Sequence, residues 1–135
     1  MRTRTRIVPF VFAAVMLGGG TAAAATASGG GVAPQDVQAQ SCYGSAKGYT
    51  AVGNGVDRAY WPDSGWKYTT SNCADINVKT NYTRTVRACW KDIPCSGWVT
   101  APKGQWTVVK NNVPNGWGFY LEFKGGNNST GKAAF

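Results

Sequence analysis

The sequence predicts an all-β chain: a small antiparallel β-sandwich or barrel of about six to eight strands, held by two disulfides, with little or no helix in the mature domain. Three observations predict it. From Ser41 onward the chain is filled with short apolar–polar alternations of period two, separated by clusters of Gly, Pro and Asn. No long window carries an apolar stripe at helical spacing between capping residues. The chain holds 4 cysteines behind an export signal, and a domain spanning only residues 41–135 buries a modest core that benefits from covalent staples.

Residues 1–25 read as a signal peptide. MRTRTR is a basic n-region, IVPFVFAAVMLGGG an apolar h-region, and TAAAATAS offers small-residue cleavage sites after Ala25 or Ala27. Pro9 and the run Gly18-Gly19-Gly20 interrupt the apolar stretch, which falls short of the roughly 20 residues that span a bilayer, so no membrane anchor is expected. Removing Arg2, Arg4 and Arg6 leaves 11 basic against 6 acidic side chains, about +5 in place of the formal +8 of the full chain. Residues 26–40, TASGGGVAPQDVQAQ up to the last Gln, lack aromatics and apolar periodicity and read as a flexible N-terminal arm.

Export fixes the reading of Cys42, Cys73, Cys89 and Cys95 as disulfides. Four cysteines allow three pairings, of which Cys42–Cys73 with Cys89–Cys95 is favoured. A zinc site is the weaker reading, since the chain has no histidine and lacks paired Cys-x-x-Cys knuckles.

The strands follow in order. In DINVKTNY, Ile76, Val78, Thr80 and Tyr82 share one face; in TRTVRACW, Val86, Ala88 and Trp90 oppose Arg87 and Cys89. QWTVVK puts Trp106 and Val108 on one side, and WGFYLEF sets Trp117, Phe119, Leu121 and Phe123 against Tyr120 and Glu122. PDSG, DIPCSG, APKG and NNVPNG supply the turns between them.

The absence of histidine removes serine and cysteine triads, histidine-based ribonuclease chemistry and most catalytic zinc sites. A carboxylate pair is the remaining route, yet Glu122 is the only glutamate, and Asp57, Asp63, Asp75 and Asp92 sit in or beside turns, where aspartate is expected for its bonds to the backbone. The chain is therefore read as non-enzymatic, with no cofactor and no metal. Its positive signal is 6 Trp and 6 Tyr, a supply larger than a core of this size requires. Tyr60, Trp61, Trp66, Lys67 and Tyr68, around the PDSG turn, are the candidate binding residues, because Trp and Tyr dominate binding hot spots. Single-stranded nucleic acid is a weak alternative, given the moderate charge and the lack of a nucleic-acid motif.

Trp66-Lys67-Tyr68, followed by Cys73 and the strand pattern INVKTNY ahead of Cys89, resembles tendamistat-type microbial α-amylase inhibitors over residues 64–90. The resemblance implies a six-stranded β-sandwich with two disulfides and an inhibitory role for Trp66, Lys67 and Tyr68, with lysine standing where the family has arginine. The layout of signal peptide, arm and small disulfide-bonded β domain also resembles the adaptor subunits of secreted bacterial toxin particles, which implies docking into a neighbour. The expectation is thus an exported module that binds another secreted protein as an adaptor or interaction subunit. A hydrolase inhibitor ranks second and a polysaccharide-binding module third.

Overall fold

The computed structural model describes residues 34–135; the expected signal peptide and residues 26–33 of the expected arm lie outside the described residues. In chain order they form one helix, α1 (Pro34–Gly44), and the strands β1 (Lys47–Gly53), β2 (Arg58–Trp61), β3 (Lys67–Tyr68), β4 (Ile76–Thr80), β5 (Arg84–Trp90), β6 (Val99–Ala101), β7 (Trp106–Lys110), β8 (Gly118–Lys124) and β9 (Ser129–Ala134). Every pairing is antiparallel. The path runs β6-β5-β8-β2-β1-β9-β4-β7, and β3 adds to the end of β8. Its two ends approach one another, giving a nearly closed barrel-like sheet of eight strands. β1 serves both halves: Lys47–Ala51 pairs with β9, whereas Val52 and Gly53 pair with β2.

Alternation decides what enters the core. Phe119, Leu121 and Phe123 of β8 point inward, opposite Trp61 and Ala59 of β2 and Ala88 and Val86 of β5. The same rule sends Tyr120, Glu122, Arg87 and Tyr60 to the outer face. Tyr49 stacks on Phe123 at 5.3 Å between ring centroids, and Phe135 meets Phe119 edge-on at 5.1 Å and Trp61 at 6.0 Å. Burying each such side chain stabilises by about 1.5 to 3 kcal/mol. Gly131 is required by this packing: a Cβ there would lie 2.3 Å from the Lys79 carbonyl oxygen and 2.9 Å from the Tyr49 ring.

The two expected disulfides, Cys42–Cys73 and Cys89–Cys95, are both formed. Two details of the sequence reading change and one is completed. First, α1 begins within the stretch read as a flexible arm and runs past its end at residue 40. Tertiary contacts hold it: Cys42 is bonded to Cys73 and packs with Ala134, while Tyr43 stacks on Trp106 at 4.4 Å. Pro34 opens the helix, a position where its missing N–H costs nothing. Second, Trp106 and Val108 share a face as expected, and the structure shows it to be the outer one, with Val109 on the opposite, buried face; the β4–β7 register shifts between Ile76 and Asn77. Third, Tyr82 and Trp117 fall outside their strands and are exposed, because each belongs to the turn beside the alternating run.

Candidate binding groove

The five residues singled out from the sequence separate into two groups. Tyr60, Trp66 and Tyr68 lie on the outer surface, whereas Trp61 belongs to the core at 8% exposure. Trp61 is therefore corrected from a binding residue to a packing residue. It shares the inward face of β2 with Ala59, opposite Leu121. Lys67 stands between the groups: it lies opposite Phe119 in the β3–β8 pairing and brings its Nζ 5.1 Å from the centroid of the Trp61 ring. Because Lys67 and Tyr68 form a strand, they point to opposite faces, so Trp66, Lys67 and Tyr68 do not project together as a turn.

Tyr68 lies opposite Gly118, and this glycine leaves room for it. A Cβ at residue 118 would come within 3.2 Å of the Tyr68 ring and 3.6 Å of the Trp66 Cβ. Thr69 fixes the next step of the chain. Its buried Oγ1 donates to the Pro114 carbonyl at 2.5 Å and accepts the Trp117 N–H at 2.9 Å, and the Thr69 N–H donates to the Trp117 carbonyl at 3.0 Å. The loop carrying Trp117 is thereby laced to the strand carrying Tyr68.

The facing wall comes from the loop that Cys89–Cys95 closes. Ser96 anchors its far end: its Oγ accepts the Ala88 N–H at 3.0 Å, and its own N–H donates to the Ala88 carbonyl at 2.8 Å. Between these supports lies a groove of about 390 Å³ walled chiefly by Trp66, Tyr68, Trp90, Ile93 and Trp117, with Lys91 and Asp92 as its charged residues. Tyr68 is 59% exposed, Ile93 47% and Trp117 42%. A second hollow of about 390 Å³ adjoins it across Trp90, Ile93 and Trp117, and reaches Pro94, Val113 and Pro114.

Beside the groove the aromatic surface continues over the outer face of the sheet. Trp66 meets Tyr120 edge-on at 5.5 Å, and Tyr120 lies 6.2 Å from Tyr60. Burial raises the Tyr60 hydroxyl above its ordinary pKa, aided by the negative charges of Glu122 and Asp57. Glu122 itself is buried: Arg58 Nε donates to one carboxylate oxygen at 2.7 Å and Arg87 Nε to the other at 2.6 Å. The Trp98 ring covers the cluster, with the Arg87 guanidinium at 4.3 Å, the Lys124 ammonium at 5.0 Å and the Arg58 guanidinium at 5.4 Å from its centroid. Both oxygens of this carboxylate are engaged by guanidinium groups, an arrangement that ties β2, β8 and β5 together. Cys89, Cys95 and Glu122 bring ligand-type atoms within 4.8 Å of one another, but the two sulfurs are joined in a disulfide and offer no thiolate.

Trp90, Ile93 and Trp117 went unrecognised as site residues. Trp117 sits directly after Asn115-Gly116, a turn signal that marks it as preceding the strand. Ile93 carries the plainest local clue, an apolar residue inside a cysteine-closed turn. Compared with family models, curated proteins and solved structures, the chain matches none of them.

Proposed function

We propose that the chain is an exported, non-enzymatic binding module that seats part of another secreted protein in the groove between Tyr68, Ile93 and Trp117. The observation that carries the reading is the exposure of these three large side chains around one concave surface backed by Trp66 and Trp90. A hollow with aromatic walls and a polar margin has the anatomy of a hot-spot pocket. Export is supported by the n-region, h-region and small-residue sites of residues 1–27 and by two disulfides, which persist in oxidising compartments. Among the described residues no helix is long and apolar enough to cross a membrane. The non-enzymatic reading rests on the missing histidine and on the Glu122 carboxylate being held between two arginines.

An adaptor role accommodates both the groove and a chain segment preceding α1. The inhibitor reading comes second, favoured by Trp66 and Tyr68 lining the same groove. The test is a pull-down from culture medium with the tagged mature protein, run beside a Tyr68→Ala/Trp117→Ala variant of unchanged melting temperature. A partner protein retained by the native chain and released by the variant is expected. Equal capture by both forms refutes the groove as the site. Deleting residues 26–33 separates the two roles: an adaptor loses its partner, whereas an inhibitor keeps its enzyme.

A further inference from the structure

The barrel fails to close between β6 and β7. Among the described residues β6 pairs only with β5 and β7 only with β4, and no backbone hydrogen bond joins β6 to β7. The end of β6 and the loop that follows it are tethered to the end of β4 and the turn between β4 and β5. There the Gly104 N–H donates to the Thr80 carbonyl at 2.8 Å, the Lys103 N–H to Thr83 Oγ1 at 3.1 Å, and Thr80 Oγ1 to the Ala101 carbonyl at 3.2 Å. Beyond the tether lies a cleft of about 320 Å³ with Gly97, Trp98 and Val99 on one side and Val108, Val109 and Lys110 on the other.

Two free strand edges therefore flank one slot. Such an edge presents N–H and C=O groups at the repeat of an extended backbone, and another extended backbone is the ligand that satisfies them in series. The slot is apolar enough to hold side chains as well: Val108 is 43% exposed and Val99 is half-buried. Its lining contains Lys110 and no carboxylate, and Lys103 sits in the loop at the tether. The irregularity in the β4–β7 register limits the length of regular edge. A second copy of the chain would bring its own positive charge, about +5 once Arg2, Arg4 and Arg6 are removed, against Lys110.

We propose that the β6–β7 slot accepts a short, extended, acidic segment of a partner protein as an added strand. Apolar residues of the guest meet Val99 and Val108, and a guest carboxylate pairs with Lys110. The site is separate from the aromatic groove and stands without it.

The experiment uses the ¹⁵N-labelled mature chain and two acetylated, amidated hexapeptides, Asp-Val-Thr-Val-Thr-Asp and its Lys-flanked counterpart, with amide hydrogen exchange read across residues 97–111. The acidic peptide is expected to slow exchange at edge amides of β6 or β7 by about tenfold at saturation, with the Lys-flanked peptide binding more weakly. Lys110→Glu is expected to weaken the acidic peptide by about fivefold, the size of one exposed ion pair, without moving the melting temperature. Tyr68→Ala should leave the affinity unchanged. Absence of protection at millimolar peptide, or equal binding of both peptides to both proteins, overturns the proposal. Protection that grows with the protein's own concentration overturns it too, by assigning the slot to a second copy.

Discussion

Replacing Glu122 by glutamine keeps the shape of the side chain and removes its charge. Glu122 is 7% exposed, and the guanidinium groups it holds, on Arg58 and Arg87, keep 30% and 28% of their side-chain surface in water. Removing one member of a fully buried ion pair costs about 3 to 5 kcal/mol, because the partner is left uncompensated. Here two effects reduce that figure. Water reaches both arginines, and the amide oxygen of glutamine still accepts from one of them. The expected cost is about 2 kcal/mol, placed below that range on those grounds. At roughly 4 to 8 °C per kcal/mol for a domain of this size, the melting temperature should fall by about 8 to 16 °C. Urea unfolding followed by tryptophan fluorescence gives the free energy, with Lys91→Gln as a neutral control of equal charge magnitude. The double variant with Arg87→Gln should be less damaged than the sum of the two single changes, since each removes the reason for the other's cost. A loss below 0.5 kcal/mol, or strict additivity, would refute the claim that this cluster fastens β2, β8 and β5 together.

Trp61→Ala should destabilise the domain by about 3 to 5 kcal/mol, whereas Tyr68→Ala should cost less than about 1 kcal/mol; chemical denaturation of both variants checks the division between core and groove. Burial raises the Tyr49 hydroxyl above the ordinary tyrosine pKa, against the opposing pull of its Ser129 contact and of Arg84. A folded-state pKa above the unfolded one contributes stability that is complete below the unfolded value of about 10 and is lost as the pH climbs through the folded value. Tyr49→Phe should therefore flatten part of the alkaline fall in stability above about pH 10, as measured by denaturation at stepped pH. Replacing both Cys42 and Cys73 by alanine should cost about 4 kcal/mol for a sequence separation of 31, against about 2 kcal/mol for Cys89 and Cys95 at a separation of 6; calorimetry of the two variants tests that order.

The period-two runs were sufficient to place β4, β5 and β8 and to name Ile76, Val78, Val86, Ala88, Phe119, Leu121 and Phe123 as inward, although Asn77, Cys89 and Glu122 on the opposite face are buried too, under covering side chains and a disulfide that the pleat does not show. Disulfide pairing was legible from the cysteine spacing and the expectation of export. The helix was not, since its stability comes from the tie to Cys73 and the stacking of Tyr43 on Trp106, partners that lie far along the chain. In β7 the alternation grouped Trp106 with Val108 correctly, but did not say which face is inward; the burial of Val109 and the exposure of Val108 decide that. Half of the groove was visible in the WKY stretch. The rest depends on Thr69 lacing in the loop of Trp117 and on the cysteine-closed loop of Ile93, and their convergence is a property of the tertiary fold.

β8 lies between β2 and β5 and also carries β3, yet it is nearly the last strand in the sequence. Strands placed early in the chain therefore wait for residues 118–124 before they gain their common neighbour. Loop closure over such separations is paid before any pairing repays it, which places the folding of this domain among the slow β topologies, in the millisecond-to-second range. A nascent chain halted before Gly118 holds β2, β3 and β5 with nothing between them. Assembly of the sheet around β8 is consequently a late event, reached only when almost the whole length of the chain is available.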